Sequence, residues 1–151
     1  MPATPEDRTT IDACAALLEQ GRTLDALSRL LTLFAVALLF AGALELIAKP
    51  PSIIIALVVI GFGIAEAWFA LRVGFDAALL RDVANRTQFA ALDVAMIRLD
   101  LIAPEKAGRS LDERLQGAMR LMRLQGLCLG AQILVLIVGA LIVAILQGRV
   151  A

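Results

Sequence analysis

The sequence predicts an all-α integral membrane protein with three transmembrane helices and an amphipathic N-terminal helix; the second and third crossings extend into a cytoplasmic antiparallel helical hairpin. Three observations carry that prediction. Of 151 residues, 60% are hydrophobic, against ~45–50% in an ordinary soluble domain. Three apolar runs each approach the roughly 20 residues needed to cross a hydrocarbon core. Past the second run the helical pattern does not stop, because 72–101 contains no proline and only one glycine, Gly74.

The chain opens with Thr4-Pro5-Glu6-Asp7, which reads as a capped helix start with carboxylates near the positive end of the dipole. Ile11, Cys14, Leu17 and Leu18 recur at helical spacing against Asp12, Glu19 and Gln20, so 5–20 is expected to be an amphipathic helix lying at a surface. Gly21 is the expected hinge before the first crossing, 24–48. Nearly thirty residues of mixed charge precede that apolar run, so it is expected to be a retained crossing and not a signal peptide.

Lys49-Pro50-Pro51-Ser52 is expected to break the chain, with Ser52 capping the next helix. That helix is expected over 53–101. At the standard rise it extends about 70 Å, of which about 30 Å can sit in lipid, and the rest stands out as a stalk. Along the stalk Val73, Ala77, Leu80, Ala84, Thr87, Ala91, Val94 and Leu101 recur in steps of four and three, interrupted by Arg98. This is a heptad-like seam of mostly small residues, the kind that lets helices approach closely. Pro104 and Gly108 end the stalk, and Ser110-Leu111-Asp112-Glu113 is a capping box that starts the helix over 110–147. Leu111, Leu115, Ala118 and Met122 continue a second seam, which is expected to face the first. The descending arm is shorter than the ascending one, which leaves part of the stalk for the N-terminal helix or another subunit.

Charge sets orientation. Nine Lys and Arg residues lie between the second and third crossings, whereas the short link carries only Lys49 and the tail only Arg149. The positive-inside rule puts the N-terminus in the cytoplasm and the C-terminus outside, in a bacterial-type inner (plasma) membrane. Fourteen basic residues balance fourteen acidic ones, and six Phe and one Trp are not interleaved with a basic patch, so no nucleic-acid partner is expected. Histidine is absent, which removes the commonest metal ligand and the usual acid-base group. Cys14 and Cys128 are too far apart in sequence for a metal-type spacing and read as small apolar fillers. No cofactor and no catalytic activity are expected.

The candidate polar site is intramembrane: Glu66, Gln132, Arg29 and Arg123. Six residues, about 9 Å, separate Glu66 from Arg72, with Trp68 between them as an interface anchor. Glu66 is therefore expected near the cytoplasmic headgroups, level with Arg29, Arg72 and Arg123, as a structural ion-pair partner; a proton relay is the sharper alternative. Glu45 precedes Lys49 by four residues and reads as a local helix pair. Gln132 reads as an interhelical hydrogen-bonding group. Gly61-Phe62-Gly63 reads as a packing groove, and Gly126, Gly130 and Gly139 as a close-approach face. The expected role is a small accessory, scaffold or assembly subunit acting in the lipid bilayer with copies of itself or a partner membrane protein. Its candidate interaction seam is Val73, Ala77, Leu80, Ala84, Ala91 and Val94. The alternative is a homo-oligomeric channel or carrier with Glu66 and Gln132 lining a polar path.

Overall fold

The computed structural model describes residues 5–43, 50–86, 94, 96–100 and 110–148, and these are helical apart from short turns. The four long helices are α1 (Pro5–Glu19), α2 (Gly21–Ala43), α3 (Pro50–Arg86) and α4 (Leu111–Gly148). Three stretches, within Arg8–Ala41, Ser52–Arg81 and Asp112–Leu146, are long and apolar enough to cross a membrane.

Local chemistry accounts for the helix ends. Pro5 opens α1, where its missing N–H costs nothing and its fixed φ suits the first turn. The chain bends at Gln20, whose N–H donates to Leu17 O (3.1 Å) and whose carbonyl accepts from Thr23 N (3.0 Å). Consequently α2 begins at Gly21, three residues ahead of the expected 24. The proline link behaves differently from its expectation. Pro50 and Pro51 form the first turn of α3, so Ser52 lies within the helix and is not its cap. Proline is excluded from a helix interior because it lacks an N–H, but the first turn has no use for one. Beyond Arg86, Val94 and 96–98 are helical. The helical residues 96–98 lead into a turn in which Asp100 N donates to Ile97 O (3.0 Å) and Asp100 has φ 57°, in the left-handed region. The Ser110 capping box is formed in both directions: Glu113 N donates to Ser110 Oγ (3.3 Å) and Ser110 N to Glu113 Oε2 (3.2 Å). Glu45, Lys49, Thr87, Ala91 and Leu101, and the side chain of Ala84, lie outside the described residues.

Packing follows a constant register. Glu66 meets Gln125 and Val59 meets Gln132, so a step of seven residues down α3 matches a step of seven up α4, and these helices run antiparallel. On α2, Gly21 meets Gln125 and Ser28 meets Gln132, which sets α2 parallel to α4. Two apolar clusters result. Ala35, Ala56 and Val59 form one between α2 and α3, with Leu136 of α4 packed against it. Ile11, Cys14, Ala15 and Leu18 of α1 form the other with Val73, Ala77 and Leu80 of α3 and Ala118 of α4. Ile11 and Leu18 are 0% and 1% exposed, burial that contributes about 1.5–3 kcal/mol each. The apolar stripe of α1, expected at a surface, is therefore turned onto its own chain. Arg81 also pairs with Glu19, pinning the end of α1 to α3. Outward faces of the other helices are apolar, with Leu33, Phe40, Ile64, Leu71, Leu127 and Leu134 all more than half exposed.

Candidate functional site

Between α2, α3 and α4 runs a file of polar side chains enclosed by apolar helix surface. Glu66, Gln125 and Gln132 are 0% exposed and Ser28 1%. At one end Gln125 Nε2 donates to Gly21 O and to Glu66 Oε1, both at 2.8 Å. At the other, Gln132 Nε2 donates to Thr32 Oγ1 and Val59 O, both at 3.1 Å, while Gln132 Oε1 accepts from Ser28 Oγ at 2.7 Å. Thr32 Oγ1 in turn donates to Ser28 O at 2.8 Å. The Ser28 hydroxyl also lies beside the Glu66 carboxyl, with its proton given to Gln132.

The geometry has a sequence cause. Gln125 and Gln132 are seven apart, two turns of α4, and so share a face; Ser28 and Thr32 are four apart on α2. Each amide offers two donors and an acceptor, enough to tie one helix to two others. Close approach makes the ties possible. A Cβ at Gly21 would lie 3.0 Å from Gln125 Oε1 and 3.2 Å from Val73 Cγ1. At Gly63 it would fall on Thr32 Oγ1 and lie 2.8 Å from Gln132 Nε2. Gly139 serves the same purpose further along, against Ile55 at 2.8 Å.

Several candidates sit elsewhere than expected. Glu66 is hydrogen-bonded by an amide, and none of the three arginines expected near it is its partner. Arg29 pairs with Asp25 one turn before it (2.8 Å), Arg72 lies 5.4 Å over the Trp68 ring, and Arg123 is exposed beside an open groove with Arg120 and Glu113. A short carboxylate on the same helix is a nearer partner for Arg29 than a buried group on another. Glu66 and Gln132 do belong to one file. Gln125 and Ser28, which also belong to it, were not among the expected site residues, although the spacing of seven between the glutamines is visible in the sequence. Within the expected interaction seam, Val73, Ala77 and Leu80 are covered by α1, whereas Val94 is 51% exposed. The glycine face also divides: around Gly61, Gly126 and Gly130 an added Cβ would meet nothing within 4 Å, so only Gly63 and Gly139 of these are contact positions.

Near the α1–α2 bend a small cleft is lined by Glu19, Arg22, Asp25 and Arg81 over Val73 and Ala77. Its charges are of both signs. Among the described residues no group of three or more His, Cys, Asp or Glu side chains is placed to hold a metal ion. No family model matches this chain, and no curated protein or solved structure matches it.

Proposed function

We propose that this is a three-span, non-catalytic membrane protein that serves as a small accessory or scaffold subunit. The observation that carries the reading is the way its polar side chains are used. The hydrogen bonds made by the Gln125 and Gln132 side chains each hold one helix to another, and these two side chains, with Glu66 and Ser28, are 0–1% exposed. A catalytic group or the wall of a polar path has to meet a solute, whereas a clasp has only to meet other helices. The surface left for the surroundings is apolar: Leu33, Phe40, Ile64 and Leu134 face outward, suiting lipid tails or another membrane helix.

In this reading α2, the first part of α3 and the later part of α4 cross the bilayer. The α1 layer, the rest of α3 and the start of α4 stand on the arginine-rich side, which the positive-inside rule assigns to the cytoplasm of a bacterial-type cell. Trp68 with Arg72 stacked on it marks the boundary, as an aromatic anchor and a snorkelling cation do. Because α1 occupies Val73, Ala77 and Leu80, assembly uses the membrane faces, where Gly126 and Gly130 leave open space four residues apart.

Reconstitution of the full chain in liposomes is the test. The expected result is no proton or cation flux above lipid alone, together with a mass in detergent larger than one chain that falls when Gly126 and Gly130 are both changed to Leu. Flux that Glu66→Gln abolishes would replace this reading with a carrier.

A further inference from the structure

Among the described residues two buried side-chain polar atoms have no hydrogen-bond partner: Glu66 Oε2 and Gln125 Oε1. They belong to the two side chains already joined through Gln125 Nε2 and Glu66 Oε1 at 2.8 Å. Both orphans are acceptors. Unmet acceptors in an apolar interior are costly, and few survive in a folded protein.

Turning the amide over does not cure the defect. Gln125 Nε2 faces Gly21 O and Glu66 Oε1, which are both acceptors, so the reversed amide would set its oxygen against two oxygens. Nor is Ser28 a free donor, because its one hydroxyl proton goes to Gln132 Oε1 at 2.7 Å. Gln132 has likewise spent its amide on Thr32 and Val59. The charged groups that face Glu66 from α2 are Asp25 and Arg29, and they are engaged with each other. From α4 the titratable neighbour is Cys128, a free thiol. The site is short of one hydrogen.

We infer that Glu66 and Gln125 form a buried proton-binding site, in which Glu66 is held as the neutral carboxylic acid and its Oε2–H donates to Gln125 Oε1. A carboxylic acid and a primary amide are complementary in this way: the acid's hydroxyl meets the amide oxygen while the amide's N–H meets the acid's carbonyl, closing a ring of two hydrogen bonds. One bond of that ring is in place, and a single proton completes the other and satisfies both orphan atoms. Proton occupancy also removes the cost of a bare carboxylate among apolar helices. The ligand is a proton, and the inference stands whether or not the chain assembles with partners.

Infrared difference spectroscopy of the full chain in lipid at neutral pH, wild type minus Glu66→Gln, tests it. The chain has fourteen Asp and Glu side chains, and the subtraction isolates one. The expected signal is the carbonyl band of a protonated carboxyl group, shifted in heavy water. A symmetric carboxylate band in its place would overturn the inference and point to a bound cation or an ion pair. Gln125→Leu, or Gln125→Asn if the leucine variant does not fold, locates the acceptor. Loss of the amide partner should move the acid band to higher frequency, and an unmoved band would refute the pairing with Gln125.

Discussion

Replacing Gly63 by alanine tests how closely α2 and α3 must approach. The added methyl would fall on Thr32 Oγ1 and lie 2.8 Å from Gln132 Nε2 and 3.2 Å from Thr32 Cβ. Neither neighbour is a flexible tip. Thr32 is held at Cβ and bonded to Ser28 O, and Gln132 is fixed by Thr32, Val59 and Ser28. To accept the methyl, α2 must withdraw. Overpacking of this kind costs about 1–3 kcal/mol, and the two bonds from Gln132 Nε2 add about 0.6 kcal/mol each in an apolar setting. The sum is about 2–4 kcal/mol, a lowering of the melting midpoint on the order of 10 °C. Gly61→Ala is the internal control, two residues away with open space around it. It should change stability by no more than about 1 kcal/mol, and in the stabilising direction. The assay is thermal unfolding in one detergent, followed by circular dichroism and by loss of the monodisperse elution peak. Thr32→Ala in the Gly63→Ala background removes the hydroxyl that the methyl strikes and should recover most of the packing cost but not the Gln132 bond, a coupling that a double-mutant cycle measures. If Gly63→Ala and Gly61→Ala melt together, the close approach of α2 to α3 is wrong.

The glutamines should differ in consequence. Gln125→Leu takes from the buried Glu66 Oε1 its amide donor and from Gly21 O its tie to α4, whereas Gln132→Leu leaves Ser28 and Thr32 able to turn to their own helix, so the first should lower the melting midpoint more than the second. Leu18→Ala should cost about 2–5 kcal/mol at a fully packed site and release α1; accelerated tryptic cleavage at Arg22 reads that release, and an unchanged cleavage rate would mean α1 is not held by this cluster. Ser110→Ala breaks the capping box and should cost about 0.5–2 kcal/mol, seen as faster amide exchange over the first turn of α4 with the Gly63 region unaffected.

Much of the fold was legible because periodicity and end signals are local. The bend at Gln20 falls beside the expected hinge, and the Ser110–Glu113 box forms as its spacing demands. The stripe Val73, Ala77, Leu80 could be recognised as needing a cover, but spacing does not say which helix supplies it; α1 does, with its own stripe at Ile11, Cys14 and Leu18. Glu66 was legible as an unusual residue and its partner was not. Gln125 stands at the edge of the apolar run over 127–146, where it reads as an end residue, and only the interhelical register carries it inward to face Glu66. Of the expected glycine face on α4, Gly139 meets Ile55 but Gly126 and Gly130 meet nothing within 4 Å, since G-x-x-x-G names a smooth face without saying what lies on it.

The cluster that seats α1 has a bearing on biosynthesis. Its members come from the first twenty residues, from Val73 to Leu80, and from Ala118. A ribosome adding about 5–20 residues per second separates Leu18 from Ala118 by roughly 5–20 s. Through that interval the apolar stripe of α1 leaves the exit tunnel with its seat half built, because the α4 wall does not yet exist. In the proposed three-span reading insertion proceeds crossing by crossing, yet α1 can settle fully only after α4 has begun to emerge. A helix made well before α3 and α4 is thus among the last to settle, which makes it a segment in need of a holding chaperone or an apolar surface during synthesis.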